Sequence, residues 1–254
     1  MISIIMNGCN GKMGQMITGI AEADPEVTIV AGVDTWDDGH NKYPVFSSIE
    51  KCDVPADCII DFSNVKAMDH LFAYCKEKKL PVVLCTTGLS EEQLAQVDEL
   101  SKSVAVLRSA NMSLGINMLL KILKEATGVL APAGFDIEIV EKHHNQKLDA
   151  PSGTALALAD SINEELDHSY EYVYDRSSRR EKRPCKEIGI SAVRGGTIVG
   201  DHDVIFAGQD EVITFSHTAY SRAVFGKGAL QAAKFLSGKS AGLYNMGDVI
   251  DASM

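Results

Sequence analysis

The 254-residue sequence predicts an α/β fold made of two architectures. Three observations predict it. The first half alternates short apolar strands with helices. A glycine-rich loop joins the first strand to the first helix. Beyond position 187 the apolar period shortens to two, the spacing of strands rather than helices. Repeated strand–helix–strand units call for a parallel sheet covered on both faces. The period-two region calls for a second, α+β domain with a mixed or antiparallel sheet.

Taken in order, residues 2–6 read as a buried strand. Residues 12–23 read as a helix, with Met13, Met16, Ile17 and Ile20 at helical spacing. Strands follow at 27–33, 57–61, 81–84 and 104–107. Helices are predicted at 65–78 and 90–101, the latter opened by Ser90. After Asn111 come a helix at 115–127, an apolar-acidic strand at 135–142 and an alanine/leucine-rich helix ending near 166. Residues 175–186 are polar and basic and read as a loop. Residues 187–217 read as an antiparallel meander, turning at Gly195-Gly196 and again at 208–210. A last helix at 225–236 precedes a tail containing glycine and serine.

Composition excludes several classes. Hydrophobic residues make up 45% and charged residues 23%, a globular balance. No apolar run reaches the roughly 18 residues of a membrane span, and the N-terminus lacks a signal peptide's basic start. A cytoplasmic protein is expected. The net charge of −11 disfavours a nucleic-acid partner. An anionic ligand would need local donors against that field. The six cysteines, at 9, 52, 58, 75, 85 and 185, form no CxxC pair and read as reduced.

Gly8-Cys9-Asn10-Gly11-Lys12-Met13-Gly14 has the strand–loop–helix setting of a dinucleotide-binding fingerprint. Glycines let the backbone approach a pyrophosphate, and the helix start supplies N–H donors. The spacing is GxxGxxG, with Asn10 where the second standard glycine would be, and Asn tolerates left-handed backbone. Asp34 closes the second strand about 20 residues on, where an acid bonds the adenosine ribose. Asp37 and Asp38 follow and no basic residue is at hand, so NADH is expected to serve at least as well as NADPH. The bland alternatives are a structural glycine turn and a solvated acidic loop. Cys85-Thr86-Thr87-Gly88 and Ser109-Ala110-Asn111-Met112 end two further strands on the same edge. Small and amide side chains there suit a nicotinamide, although ordinary loop chemistry explains them equally.

The stretch from Glu141 to Thr154 is the richest. Adjacent strand residues face opposite sides, so His143 and His144 are poor joint ligands, and no HxxxH or HExxH spacing supports a metal. Lys147 and the Pro151-Ser152-Gly153-Thr154 helix start give the histidines another meaning. Pro151 suits a first helical turn. The N–H groups behind it, with the Ser152 and Thr154 hydroxyls, form a carboxylate site. A histidine near its ordinary pKa exchanges protons. The set suits hydride transfer to a small anion.

This segment resembles the E-x-H-H-x-x-K-x-D-A-P-S-G-T motif of the 4-hydroxy-tetrahydrodipicolinate (dihydrodipicolinate) reductase family, and every fixed position matches. T-T-G at 86–88, A-N-x-S-x-G-x-N at 110–117 and V-R-G-G-x-I-V-G-x-H at 193–202 agree, so the resemblance spans the chain. It implies a Rossmann-type dinucleotide-binding domain at 1–112 and 223–254, and a substrate-binding and tetramerisation domain at 113–222. It implies reduction of 4-hydroxy-tetrahydrodipicolinate to tetrahydrodipicolinate with loss of water, with NADH or NADPH, in a cytoplasmic homotetramer of diaminopimelate and lysine biosynthesis. By position, His143 resembles the acid/base and Lys147 the proton donor. His144, Ser152, Gly153 and Thr154 resemble substrate contacts. Gly8, Cys9, Asn10, Gly11, Lys12, Met13, Asp34, Cys85, Thr86, Thr87, Ser109, Ala110, Asn111 and Met112 match cofactor contacts. Domain closure is implied, with hinges near Asn111 and Ser221. The chain departs from common relatives at Cys85, Met112, Asp34 and Gln146.

The sequence offers three other readings. A semialdehyde dehydrogenase needs a nucleophilic cysteine, for which Cys185 is a poor candidate. An NADH-sensing regulator needs a nucleic-acid module. An inactive relative would not need the intact His143, Lys147 and Ser152-Gly153-Thr154 set.

Overall fold

The computed structural model describes residues 1–253. The chain divides into two compact units, Met1–Leu114 with the segment from Ala223 onward, and Gly115–Arg222.

In the first unit, β1 (Ile2–Asn7), α1 (Lys12–Glu22), β2 (Val27–Val33) and β3 (Val45–Phe46) are followed by β4 (Cys58–Asp61), α2 (Met68–Lys78), β5 (Val82–Leu84), α3 (Glu91–Ser101) and β6 (Ala105–Arg108). The sheet is parallel throughout. Its strands alternate faces. Ile4, Met6, Ile60, Val83 and Leu107 form one core, and Ile5, Ile59, Val82, Leu84 and Val106 the other. Each such side chain, fully buried, contributes about 1.5–3 kcal/mol. Ser90 caps α3 through a reciprocal capping box with Gln93. The stretch expected as one helix from 65 begins as a 3-10 turn, Val65–Ala67, capped by Asn64.

The second unit runs α4 (Leu114–Leu130), β7 (Asp136–His143), α5 (Gly153–Glu165), β8 (Glu171–Val173), β9 (Glu187–Arg194), β10 (Gly200–Ala207) and β11 (Val212–Ala219). The chain then returns to the first unit as α6 (Ala223–Leu236), β12 (Gly242–Tyr244) and α7 (Met246–Asp251). The tail after 236 is therefore structured, and β12 is a strand of the parallel sheet, whose order is β12-β6-β5-β4-β1-β2-β3. Strand order reverses at β1, and open parallel sheets bind ligands outside the carboxyl ends of strands at such a switch point.

The second sheet has the order β11-β10-β7-β9-β8. The expected meander needs correcting. β10 and β11 do form an antiparallel hairpin, but β9 lies on the far side of β7 and pairs with it in parallel. The helical crossover through α5 delivers β8, and the 174–186 loop then returns the chain to start β9 between β8 and β7, parallel to both. The Gly195-Gly196 segment is therefore no hairpin turn. It passes over the end of β7, donating from the Gly195 N–H to the His143 carbonyl at 2.9 Å and accepting at the Gly196 carbonyl from the Asn145 N–H at 3.2 Å.

One face of this sheet carries Ile137, Ile139, Ile188, Ile190, Val204 and Phe206 against α4 and α5. On the other, Lys142 meets Asp203 at 2.9 Å, and Arg183 from the basic loop meets Glu138 at 2.9 Å and Asp136 at 2.7 Å.

Candidate active site

The glycine loop follows β1 at the switch point. Gly8 has φ +82°, and a Cβ there would lie 2.6 Å from the Phe62 carbonyl oxygen. A Cβ at Gly14 would lie 2.2 Å from the Gly8 oxygen, so these two positions admit only glycine. Gly11 caps α1 with extended backbone. Asn10 is not left-handed; the positive φ belongs to Gly8. Asn10 is instead a brace. Its N–H donates to Asp34 Oδ2 at 3.0 Å, its amide donates to the Trp36 carbonyl, and it accepts from Asn41 Nδ2 at 2.6 Å. The loop and the acid at the end of β2 are thus one structure. A cavity of about 780 Å³ opens beside them, lined by Gly8, Gly11, Asp34, Ser63 and Lys51 among others. Glycines that no Cβ could replace, a helix start and an acid bordering a cavity fit a dinucleotide.

The remaining cofactor candidates divide. Lys12 and Thr87 are exposed, and Met13, Thr86, Ser109 and Asn111 half-buried. Ala110 is exposed, while Cys85 is half-buried, its thiol raised well above its ordinary value by burial and by nearby Asp61. Cys9 is 0% exposed and Met112 5%, and both side chains belong to the core. Burial pushes the Cys9 thiol up to about 12. As sites, Cys9 and Met112 therefore offer backbone only.

Beneath this edge lies Asp61, unnoticed in the sequence. It is 0% exposed. Asn7 Nδ2 and Ser63 Oγ donate to Oδ1 at 2.8 and 2.6 Å, and Thr86 Oγ1 donates to Oδ2 at 2.6 Å. Burial raises its pKa. This carboxylate ties together the loops after β1, β4 and β5.

In the second unit, the alternation of β7 places Ile137, Ile139, Glu141 and His143 on the covered face. Glu141 is a fully buried carboxylate. It accepts from Arg194 Nη1 and Nη2 at 2.8 and 2.7 Å, and from the Ser152 N–H at 2.9 Å. His143 Nδ1 lies 2.6 Å from Glu141 Oε2. Burial raises the Glu141 pKa, but Arg194, His143 and the Ser152 N–H outweigh it and hold the carboxyl below its usual range. His202 packs its ring edge-on to His143, with centroids 5.2 Å apart. Burial and the neighbouring histidine push His202 down to about 4, so it is neutral.

Ser152, expected as a substrate contact, is committed inward. Its Oγ accepts from the Ala155 N–H at 3.1 Å as the cap of α5 and lies 3.1 Å from His202 Nε2. Pro151 precedes that cap instead of opening the helix. The first helical residues are Gly153, exposed, and Thr154, half-buried. Lys147 is paired with Asp149 at 2.8 Å, and its N–H closes a turn onto the His144 carbonyl at 3.1 Å. The structure thus joins His143 and Ser152 through Glu141, and sets Lys147 with Asp149. His144 is half-buried. Glu141, Arg194 and His202 had no assigned role in the sequence. The available signal was phase: Glu141 continues the Ile137, Ile139 alternation and Arg194 the Ile188, Ile190 alternation, each a charge on an apolar phase.

Among the described residues, no cluster of three or more His, Cys, Asp or Glu could hold a metal, and no helix is long and apolar enough to cross a membrane.

A glycine cradle at the switch point of a parallel sheet defines a dinucleotide-binding α/β protein, and its second unit carries a buried histidine–carboxylate pair. Residues 2–112 match the N-terminal and residues 115–250 the C-terminal domain of dihydrodipicolinate reductase. The chain is 56% identical over 250 residues to 4-hydroxy-tetrahydrodipicolinate reductase of Caldanaerobacter subterraneus, covering 98% of each. It is 51% identical to that of Clostridium novyi, with the same coverage. The chain belongs to the dihydrodipicolinate reductase family. A dipicolinate-bound dihydrodipicolinate reductase from Paenisporosarcina sp. TG-14 superposes with TM-score 0.80 at 25% identity, covering 96% of this chain and 97% of that one.

Proposed function

We propose that the chain reduces 4-hydroxy-tetrahydrodipicolinate to tetrahydrodipicolinate, serving diaminopimelate and lysine biosynthesis. One hydride and one proton are added to the ring and one water leaves. The observation that carries this reading is His143 seated on buried Glu141 beside the Gly153 helix start, within a chain 56% identical to a named reductase. Dipicolinate, the ligand named for the Paenisporosarcina enzyme, is likewise a ring bearing two carboxylates.

When bound, the nicotinamide supplies the hydride. The loop from Gly8 to Met13, with Asp34, Cys85, Thr86, Thr87, Ser109, Ala110, Asn111 and the Met112 backbone, holds the dinucleotide. The helix start at Gly153 and Thr154 receives one substrate carboxylate, where N–H groups and the positive end of the helix dipole favour an anion. His144 contacts the substrate. His143 exchanges a proton through Nε2, because Nδ1 faces Glu141. Lys147, released from Asp149, delivers the proton that completes the reduction.

Asp34 favours NADH at least equally with NADPH, because a 2′-phosphate would meet its carboxylate. The enzyme acts in the cytoplasm as a homotetramer. The sheet face carrying Glu138, Lys142 and Asp203 is the surface we assign to subunit contact. The test is a coupled assay in which the preceding synthase makes the substrate in situ. Oxidation of NADH or NADPH that depends on the synthase supports the reading, and no oxidation of either overturns it.

A further inference from the structure

The geometry points to Glu141, clamped by Arg194, as the positioning residue that fixes the tautomer and ring orientation of His143. This rests on the acid/base role proposed for His143. The carboxylate cannot serve as an ordinary surface acid, because it has no exposure to water. Every acceptor direction is instead occupied by a defined donor. Arg194 reaches it from β9, directly opposite His143 in the parallel register, with one Nη on each carboxylate oxygen. The Ser152 N–H reaches Oε1 from the start of α5. One direction remains, on Oε2, and His143 Nδ1 fills it at 2.6 Å.

A carboxylate at Nδ1 requires the proton there, so Nε2 is the nitrogen left to exchange protons. That nitrogen faces Gly200, where a Cβ would stand 3.0 Å away. The other groups around this pair are few. His202 on β10 presents its ring edge-on and is neutral. Lys147 and Asp149 lie in the loop between β7 and α5, paired with each other. Arg194 also donates to the Asp149 carbonyl at 2.7 Å, linking the clamp to the loop that carries Lys147. Glu141 touches no ligand-facing surface itself and acts only through His143.

The test uses the full-length enzyme with 15N-labelled histidine, following ring nitrogens by NMR across pH, with His143→Gln to assign the resonance. In the unaltered protein the neutral His143 should carry its proton on Nδ1. In Glu141→Gln that preference should be lost. The pH profile of kcat/KM should change with it, kcat should fall at least tenfold, and NADH affinity should stay within about twofold. Glu141→Asp should restore part of the Nδ1 preference and of kcat. Because Glu141→Gln leaves half-buried Arg194 without its counter-ion, the double variant Glu141→Gln/Arg194→Gln provides a neutral pair, and it too should lose the Nδ1 preference. An unchanged His143 tautomer in folded Glu141→Gln or in the double variant would overturn the inference. So would a fall in kcat with no movement of the pH profile. If the unaltered enzyme instead turns over no substrate, the activity reading fails while the NMR tautomer assignment still decides the role of Glu141.

Discussion

Asp61 and Glu141 are both carboxylates with no exposure to water, each at the carboxyl edge of a sheet, and they are held in opposite ways. Asp61 accepts from an amide and two hydroxyls, all neutral, and burial raises its pKa. Glu141 accepts from a guanidinium, a histidine and a backbone N–H, and its pKa is lowered. Neutral donors tie loops together without committing a charge. A full counter-charge keeps a carboxylate ionised so that it can act on a neighbouring ring. The first arrangement suits a platform that must keep its shape, and the second a site that must handle a proton.

The largest effect that could break this contrast lies beside Glu141. His202 has a folded-state pKa of about 4 against an ordinary 6.5. A histidine whose pKa is depressed on folding adds stability that is present above pH 6.5 and lost as pH falls toward 4. The amount is on the order of 3 kcal/mol. Urea unfolding between pH 7 and 4 should show that loss, and His202→Gln should flatten it. An equally steep loss in the variant would place the cause elsewhere.

Next comes Gly14→Ala. Its Cβ would press on the Gly8 carbonyl, and overpacking of about 1–3 kcal/mol corresponds to NADH binding weakened by up to about a hundredfold. Fluorescence titration of NADH checks this, and unaltered affinity would remove the loop from the cofactor site. Asp61→Asn keeps the shape but turns an NH₂ toward other donors. It should cost about 1–3 kcal/mol in urea unfolding while leaving the pH dependence of kcat/KM in place. A displaced pH profile would erase the distinction from Glu141. The smallest effect is expected at Asp34→Ala. Removing one charge beside a 2′-phosphate is worth about 1 kcal/mol in water, so the KM for NADPH should improve several-fold relative to NADH.

The two carboxylates also mark how far the sequence can be read. The parallel sheet is legible because β1, β4 and β5 are each followed by a helix, and the Gly8–Gly14 loop stands in its proper setting. His143 and Asp34 stand out in the sequence because their chemistry is unusual at strand ends, and the structure sets His143 against Glu141 and Asp34 against the Asn10 N–H. Glu141 was seen as part of a motif but not as buried, because a glutamate on a strand normally faces water. Arg194 and His202 act only through pairing across strands, and strand order is not written in a period-two pattern. The same limit produced the mistaken meander: residues 187–194 read as a strand, but nothing local placed β7 between β9 and β10. Gly242–Tyr244 was missed because three residues make too short a strand for periodicity to register.

The most direct test of this division of labour is one protein measured two ways. Lys147→Ala should lower kcat by about 10²–10⁴-fold, the usual worth of a proton donor, while the NADH dissociation constant stays within about twofold. Turnover that survives the change, or NADH affinity that falls in step with it, would contradict the account.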